Sequence, residues 1–260
     1  MCTFALYFQV FPGYSLVAAA NRDESLTRPS APPQQLWASP RIYGGQDLLA
    51  GGTWLGINEH GMLVAVLNRH TGRPADPHRH SRGQLCFDVL KCNSPSAALR
   101  LVTSQPANRY NPFNLVIADY TEAYVVYAQD EGIRALALTP GFHLLTNYNL
   151  NDPSCQRTVR SFNRFAQLVP SLLDHRHHSP HEMFTKLHPI LASHAPDHDP
   201  RASVCIHLDG YGTCSSTLLA YIDATRQYDY AFAPGFPCQN TYSTVSFPPG
   251  LKVSHPPSTA

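Results

Sequence analysis

Cys2 is the residue whose type and place are best suited to chemistry. Once Met1 is removed, which a small second residue permits, one residue carries both a thiol and an α-amine. Their ordinary pKa values, ~8.5 and ~7.7–8.0, let the two groups exchange a proton near neutral pH. The amine can then act as general base for its own side chain, so the chemistry needs no separate histidine. Such a residue is equipped to attack a carbonyl carbon and form a thioester. Met-Cys alone is weak evidence, because many chains begin with an arbitrary small residue.

Two further groups fit that chemistry. Asn21, Arg22, Asp23 and Glu24 form a polar run directly after VAAA. Such a run is ordinarily a solvated loop, but a carboxylate beside Cys2 would hold the α-ammonium. An arginine there would favour the thiolate or bind an anionic part of a substrate. Asn68 and Asn147 stand at the ends of GMLVAVLN and FHLLTN, with Arg69 next in the chain after the first. An asparagine amide can donate to a developing oxyanion, an effect worth about 3–4 kcal/mol. Asparagine also commonly caps a chain leaving a strand, which is the usual meaning of either one alone.

The elements that must position these residues start with a hairpin. Pro12-Gly13 lies between Phe11 and Tyr14, with β-favouring segments on both sides. The expected hairpin over residues 3–21 returns the polar run toward Cys2. Cys2, Phe4, Leu6 and Phe8 share one face of its first strand. The same features weigh against a secretory signal, since no Lys or Arg precedes Arg22 and the turn interrupts the apolar stretch. Proline-rich residues 28–41 read as an irregular surface loop. A second hairpin turns at Glu59-His60-Gly61, and residues 62–67 are apolar on both faces, as in a strand covered on both sides.

Helices are expected over 81–92 and 94–104, the latter with Ser94 as N-cap and Pro95 behind it. Strands follow at 113–120, 123–129 and 142–147. A helix from about 154 carries Val159, Phe162, Phe165 and Val169 at helical spacing, and a second covers 180–194. Strands at 203–208, 216–223 and 228–234 close the pattern. The order gives one domain over 2–240, with two antiparallel sheets packed together and helices outside, and a frayed Pro-rich tail over 241–260.

Composition narrows the function classes. Charged residues are only 14% and the net charge is +1, with no basic block to bind nucleic acid. No apolar run approaches the roughly 20 residues that span a bilayer. The seven cysteines are scattered without CxxC spacing, which speaks against a disulfide scaffold or a zinc site and suits the cytoplasm. Seven of the fourteen histidines fall within 175–198 without a standard ligand pattern, and read as a solvated stretch. No metal or cofactor is expected.

Taken together, Met-Cys, NRDE, GGTWLGIN, VAVLN, SRGQL, NPFNLVIADY, LLTN before Asp152-Pro153, and YGTCSST resemble the NRDE-motif family. More distantly the chain resembles N-terminal-nucleophile hydrolases of the bile salt hydrolase and penicillin V acylase type. That resemblance implies an α+β fold, a four-layer αββα sandwich. It implies a small-molecule substrate with Cys2 as nucleophile, Asp23 at the α-amine, Asn68 as oxyanion donor and Asn147 as a further polar site residue. Asn21, Arg22, Glu24 and Arg69 are the expected substrate contacts. An amidohydrolase or acyltransferase follows. The family's links to haem and acyl-CoA handling keep a non-catalytic carrier as the alternative. Two departures stand out. Ala20 occupies the place of an arginine in the hydrolases, and Cys214 replaces the arginine of the family's YGTRSST, a loss that a nearby guanidinium such as Arg201 would have to offset.

Overall fold

The computed structural model of the chain describes residues 2–173, 179–196, 199–200 and 202–247. The chain opens with β1 (Thr3–Phe11) and β2 (Tyr14–Ser25), then runs through β3 (Ser30–Ala38), β4 (Arg41–Asp47), β5 (Leu55–Asn58) and β6 (Leu63–Asn68). Helices α1 (Arg82–Leu90) and α2 (Pro95–Thr103) lead to β7 (Phe113–Ala118), β8 (Ala123–Gln129) and β9 (Gly132–Ala137). After β10 (Gly141–Leu145) come α3 (Gln156–Ala166), α4 (Leu168–Leu173) and α5 (Pro180–Leu191). Strands β11 (His207–Leu208), β12 (Tyr211–Ile222), β13 (Gln227–Pro234) and β14 (Ser243–Thr244) complete the described chain.

One sheet has the order β10-β1-β2-β12-β13-β14 with β11 on β12; the other runs β3 to β9 in sequence. Strand alternation sorts their side chains into three cores. Phe4, Leu6, Phe8, Leu16 and Ala18 meet Leu55, Ile57, Leu63, Ala65 and Leu67 between the sheets. Ala5, Tyr7, Val17 and Ala19 face α3–α5, packing on Phe165, Leu172, Met183 and Leu187. Ile42, Met62 and Val64 pack on α1 and α2 through Leu85, Val89, Ala98 and Val102. The result is the αββα sandwich, with β6 covered on both faces. Among the described residues no helix is long and apolar enough to cross a membrane.

The first hairpin turns at Gly13, whose φ of +83° suits glycine, and pairs Thr3 with Asn21. Helices α1 and α2 begin at the Ser81 and Ser94 caps, which accept from the Gln84 and Ala97 amides.

Other expectations are corrected. Residues 28–41 are not a loop, for β3 is an edge strand on β4. Its register shifts between Ala31 and Gln34, where Pro32 and Pro33 have no amide to donate, and an edge tolerates that loss. NRDE lies inside β2, all four residues paired with β12 and Asn21 also with β1, not in a loop beyond the strand. Of residues 203–208, only His207 and Leu208 pair as a strand. The helix expected from about 154 is two helices, and Val159 points outward, 54% exposed. At the C-terminus, β14 joins β13, and Val245 and Phe247 pack on the inter-sheet core. Part of the histidine-rich run, 174–178 and 197–198, lies outside the described residues, as do Arg201 and 248–260.

Candidate active site

Cys2 sits half-buried at the mouth of the inter-sheet layer, on the face shared with Phe4. Its main-chain nitrogen donates to Asn147 Oδ1 at 2.9 Å. The same Asn147 amide donates through Nδ2 to the Asn68 carbonyl, and the His70 amide donates to the Asn147 carbonyl at 2.8 Å. Asn147 thus ties β10, β6 and the start of β1 together and fixes Cys2 from one side. From the other side the Asp23 carbonyl lies 3.8 Å from Cys2 Sγ. Burial pushes the Cys2 thiol up; the Asp23 charge adds to this, while the amino terminus and Arg22 act against it.

The polar run is divided by strand alternation. Asn21 and Asp23 turn to the helical layer, whereas Arg22 shares the face of Ala18 and Ala20. Asn21 donates to the carbonyls of Leu191 and Val204 at 2.9 and 3.0 Å and accepts from Ser216 Oγ at 2.6 Å. Its amide joins sheet to helices, away from the thiol. Asp23 is 2% exposed, with Oδ2 receiving Arg157 Nη1 at 3.0 Å and Oδ1 receiving Thr213 Oγ1 at 2.6 Å. Burial pushes its carboxyl up, and Arg157, the amino terminus and Thr213 oppose the shift. No carboxyl oxygen of Asp23 is hydrogen-bonded to Cys2 among the described residues; the contact to the thiol comes from its carbonyl. Tyr211 Oη also donates to that carbonyl, at 3.0 Å.

Positive charge gathers on the thiol side. Arg22 is 7% exposed, its guanidinium 4.4 Å above the Trp54 ring, and its Nη1 has no hydrogen-bond partner among the described residues. A buried guanidinium with an unmatched donor is costly unless something accepts from it. Arg82, at the start of α1, donates to the Pro112 carbonyl at 3.2 Å. Burial lowers Arg82, and the charges of Glu24 and Cys2 act the other way. A cation at a helix N-terminus opposes the helix dipole, so helix stability does not explain it. The loop before β5 places this arginine. A Cβ on Gly52 would come within 2.1 Å of the Gly83 carbonyl carbon, and the Thr53 amide donates to the Gly83 carbonyl at 3.1 Å. The GGTW and SRGQL stretches are therefore interlocked.

The remaining expected residues are placed as follows. The Asn68 side chain is exposed at the end of β6. Arg69 turns away to Asn114 Oδ1 at 2.9 Å and Asn149 Oδ1 at 2.8 Å, bracing the chain after β10. Glu24 accepts from the Ser25 amide at 2.9 Å. Cys214 is the bulged residue of β12, between Thr213 opposite Asp23 and Ser215 opposite Arg22. Its Sγ donates to the Glu24 and Gly212 carbonyls, each at 3.5 Å.

Sequence reasoning missed Arg157, Thr213 and Arg82 as parts of the site. Arg157 lies two four-residue steps before Phe165, and so on the inward face of α3, which is the one signal that could have revealed it.

A family model described as Transport and Golgi organisation 2 matches residues 1–231. The human "Transport and Golgi organization protein 2 homolog" is 28% identical over 250 residues, covering 84% of this chain and 88% of its own. The Mus musculus homolog is 34% identical over 164 residues, and the match spans 59% of each chain, under two thirds of that relative. Among solved structures, the conjugated bile acid hydrolase of Clostridium perfringens aligns at TM-score 0.57 and 11% identity, covering 98% of this chain and 99% of its own. Penicillin V acylase of Agrobacterium tumefaciens aligns at TM-score 0.57 and 14% identity, covering 90% and 83%. The Caenorhabditis elegans ortholog of N-acylethanolamine-hydrolyzing acid amidase aligns at 0.56 and 14%, covering 84% and 92%. At such identities the likeness concerns the fold, that of the N-terminal-nucleophile hydrolases.

Proposed function

We propose that this chain, which belongs to the Transport and Golgi organisation 2 family, is an N-terminal cysteine hydrolase that cleaves the amide bond of a small acylated substrate. The observation that carries this reading is the Cys2 nitrogen held at 2.9 Å by Asn147 Oδ1, with the thiol on the same residue and Arg22 alongside. After Met1 is removed, that nitrogen is the α-amine. It takes the thiol proton, and the thiolate attacks the acyl carbon. Asn68 Nδ2 and a main-chain N–H hold the oxyanion. The ammonium returns its proton to the leaving amine, and water attacks the thioester to release the acid. Resolution by an amine or thiol in place of water would make the same site an acyltransferase. Asp23 acts through its carbonyl and the β2 backbone, kept rigid by Arg157 and Thr213. Arg22 favours the thiolate or holds an anionic part of the substrate.

The test is turnover of a panel of N-acyl amides and thioesters by the wild type and Cys2→Ser, with haem and acyl-CoA titrations alongside. Hydrolysis lost in Cys2→Ser while substrate still binds supports the enzyme. Equal turnover in both chains, with tight haem or acyl-CoA binding, would replace it with a carrier.

A further inference from the structure

A second group of reactive side chains lies behind Asp23. His194, in the chain after α5, meets Cys205 just before β11, His207 at the start of β11 and Cys238 beyond β13, their ligand-capable atoms all within 4.8 Å of one another. Cys205 Sγ is 3.7 Å from Cys238 Sγ and 3.5 Å from His207 Nε2. His207 Nε2 is 3.2 Å from Cys238 Sγ. Tetrahedral zinc, with bonds of ~2.3 Å to sulfur and ~2.0–2.1 Å to nitrogen, sets S···S near ~3.8 Å and S···N near ~3.6 Å. The Cys205–Cys238 and Cys205–His207 distances match those dimensions, the His207–Cys238 distance is shorter, and the His194 ligand atom lies within 4.8 Å of the other three.

We propose that His194, Cys205, His207 and Cys238 bind a zinc ion in a four-coordinate site that stabilises the fold next to the candidate active site. His194 Nδ1 lies 3.0 Å from the Cys205 carbonyl. A proton on Nδ1 donates there and leaves Nε2 to ligate, the arrangement that orients metal-bound imidazoles. The His207 ring is held by stacking on Phe236, with centroids 3.8 Å apart. The four residues line a cavity of 320 Å³, so an ion can reach them. A disulfide between Cys205 and Cys238 would use the sulfurs but give the two converging imidazoles no role. Two thiols and two imidazoles at these distances make a zinc donor set. Ligands separated by ten, one and thirty residues hide the site from any spacing rule, and so the expectation that the scattered cysteines bind no metal does not hold in this reading.

The site connects to Asp23 through Ile206 and Thr213. Ile206, between two ligands, donates its amide to Thr213 Oγ1 at 2.9 Å and accepts from the Thr213 amide at 3.0 Å; Thr213 Oγ1 donates to Asp23. Gly212 permits this approach, because a Cβ there would meet the Ile206 carbonyl oxygen at 2.6 Å. Zinc would hold Cys205 and His207, and with them the backbone that orients Asp23.

The experiment is metal analysis of the full chain, purified without a histidine tag, together with His207→Gln and the Cys205→Ser/Cys238→Ser double variant. The expected result is about one zinc per wild-type chain and at least a tenfold loss in the double variant. Cobalt replacing zinc should give the strong visible absorption of a tetrahedral thiolate site. In the wild type, Cys205 and Cys238 should resist alkylation until a chelator is added, a reading that does not require the variants to fold. Wild-type chain without zinc, zinc undiminished in the double variant, or alkylation of both cysteines unaffected by chelator would each overturn the proposal.

Discussion

Arg157 Nη1 meets Asp23 Oδ2 at 3.0 Å across 134 positions of sequence, with the two side chains 2% and 0% exposed. The pair joins α3 to β2 directly behind the residue whose carbonyl faces the Cys2 thiol. Arg157 also donates to the Pro200 carbonyl at 2.9 Å, so one guanidinium anchors two segments. Removing one partner of a buried pair strands the other's charge. Arg157→Met should therefore destabilise the chain by ~3–5 kcal/mol, and Asp23→Leu similarly. The double substitution should lose far less than the sum. Urea unfolding of the three variants checks this; additive losses would show that the two charges are not coupled.

Asn147 and Asn68 should separate by function. Asn147→Ala removes the acceptor for the Cys2 nitrogen and the tie to β6, and should slow both turnover and alkylation of Cys2. In the proposed mechanism the exposed Asn68 side chain serves only the oxyanion, so Asn68→Ala should lower kcat by ~10²–10³ with little change in alkylation or stability. Stopped-flow alkylation beside steady-state kinetics distinguishes the two.

The pH dependence follows from the raised Cys2 thiol. The ionised thiol is the reactive form, so a pKa raised by burial moves the rise in alkylation rate to higher pH than for a free cysteine. Arg22 opposes that shift, so Arg22→Gln should move the rise further up. The Arg22 charge also reaches Cys214, so the two positions share surroundings. Cys214→Arg, by adding a cation there, should move the rise down. Alkylation rates across pH 6–10 report both directions; a profile identical in all three chains would remove Arg22 from the account.

Gly52→Ala should destabilise by ~1–3 kcal/mol, since its Cβ has no room against the backbone of α1. If Arg82 matters to the thiol, the same variant should slow Cys2 alkylation.

The layers were legible because alternation and helical spacing report burial directly. Residues 62–67, apolar on both faces, announced a strand between two layers, and Pro12-Gly13 announced the first hairpin. Asn147 stood out as a strand-end asparagine, and the family motifs made it a polar site residue, but its contact with the Cys2 nitrogen was not legible. Thr213 left no trace, and the helical spacing to Phe165 was the one trace of Arg157, too weak alone because a buried arginine on a helix looks in sequence like a solvated one. What makes it part of the site is a strand 134 positions away. Prolines 32 and 33 misled for a related reason, since an edge strand tolerates missing donors where a central one does not.

Intact-protein mass spectrometry of the purified chain, before and after mixing with N-acyl amides, decides whether Cys2 is the nucleophile. The mature chain should begin at Cys2 and transiently gain one acyl group, localised to Cys2 by peptide mapping and absent from Cys2→Ser. A chain that keeps Met1 and still turns over substrate fully, or an acyl group carried elsewhere at the same rate, would contradict that role.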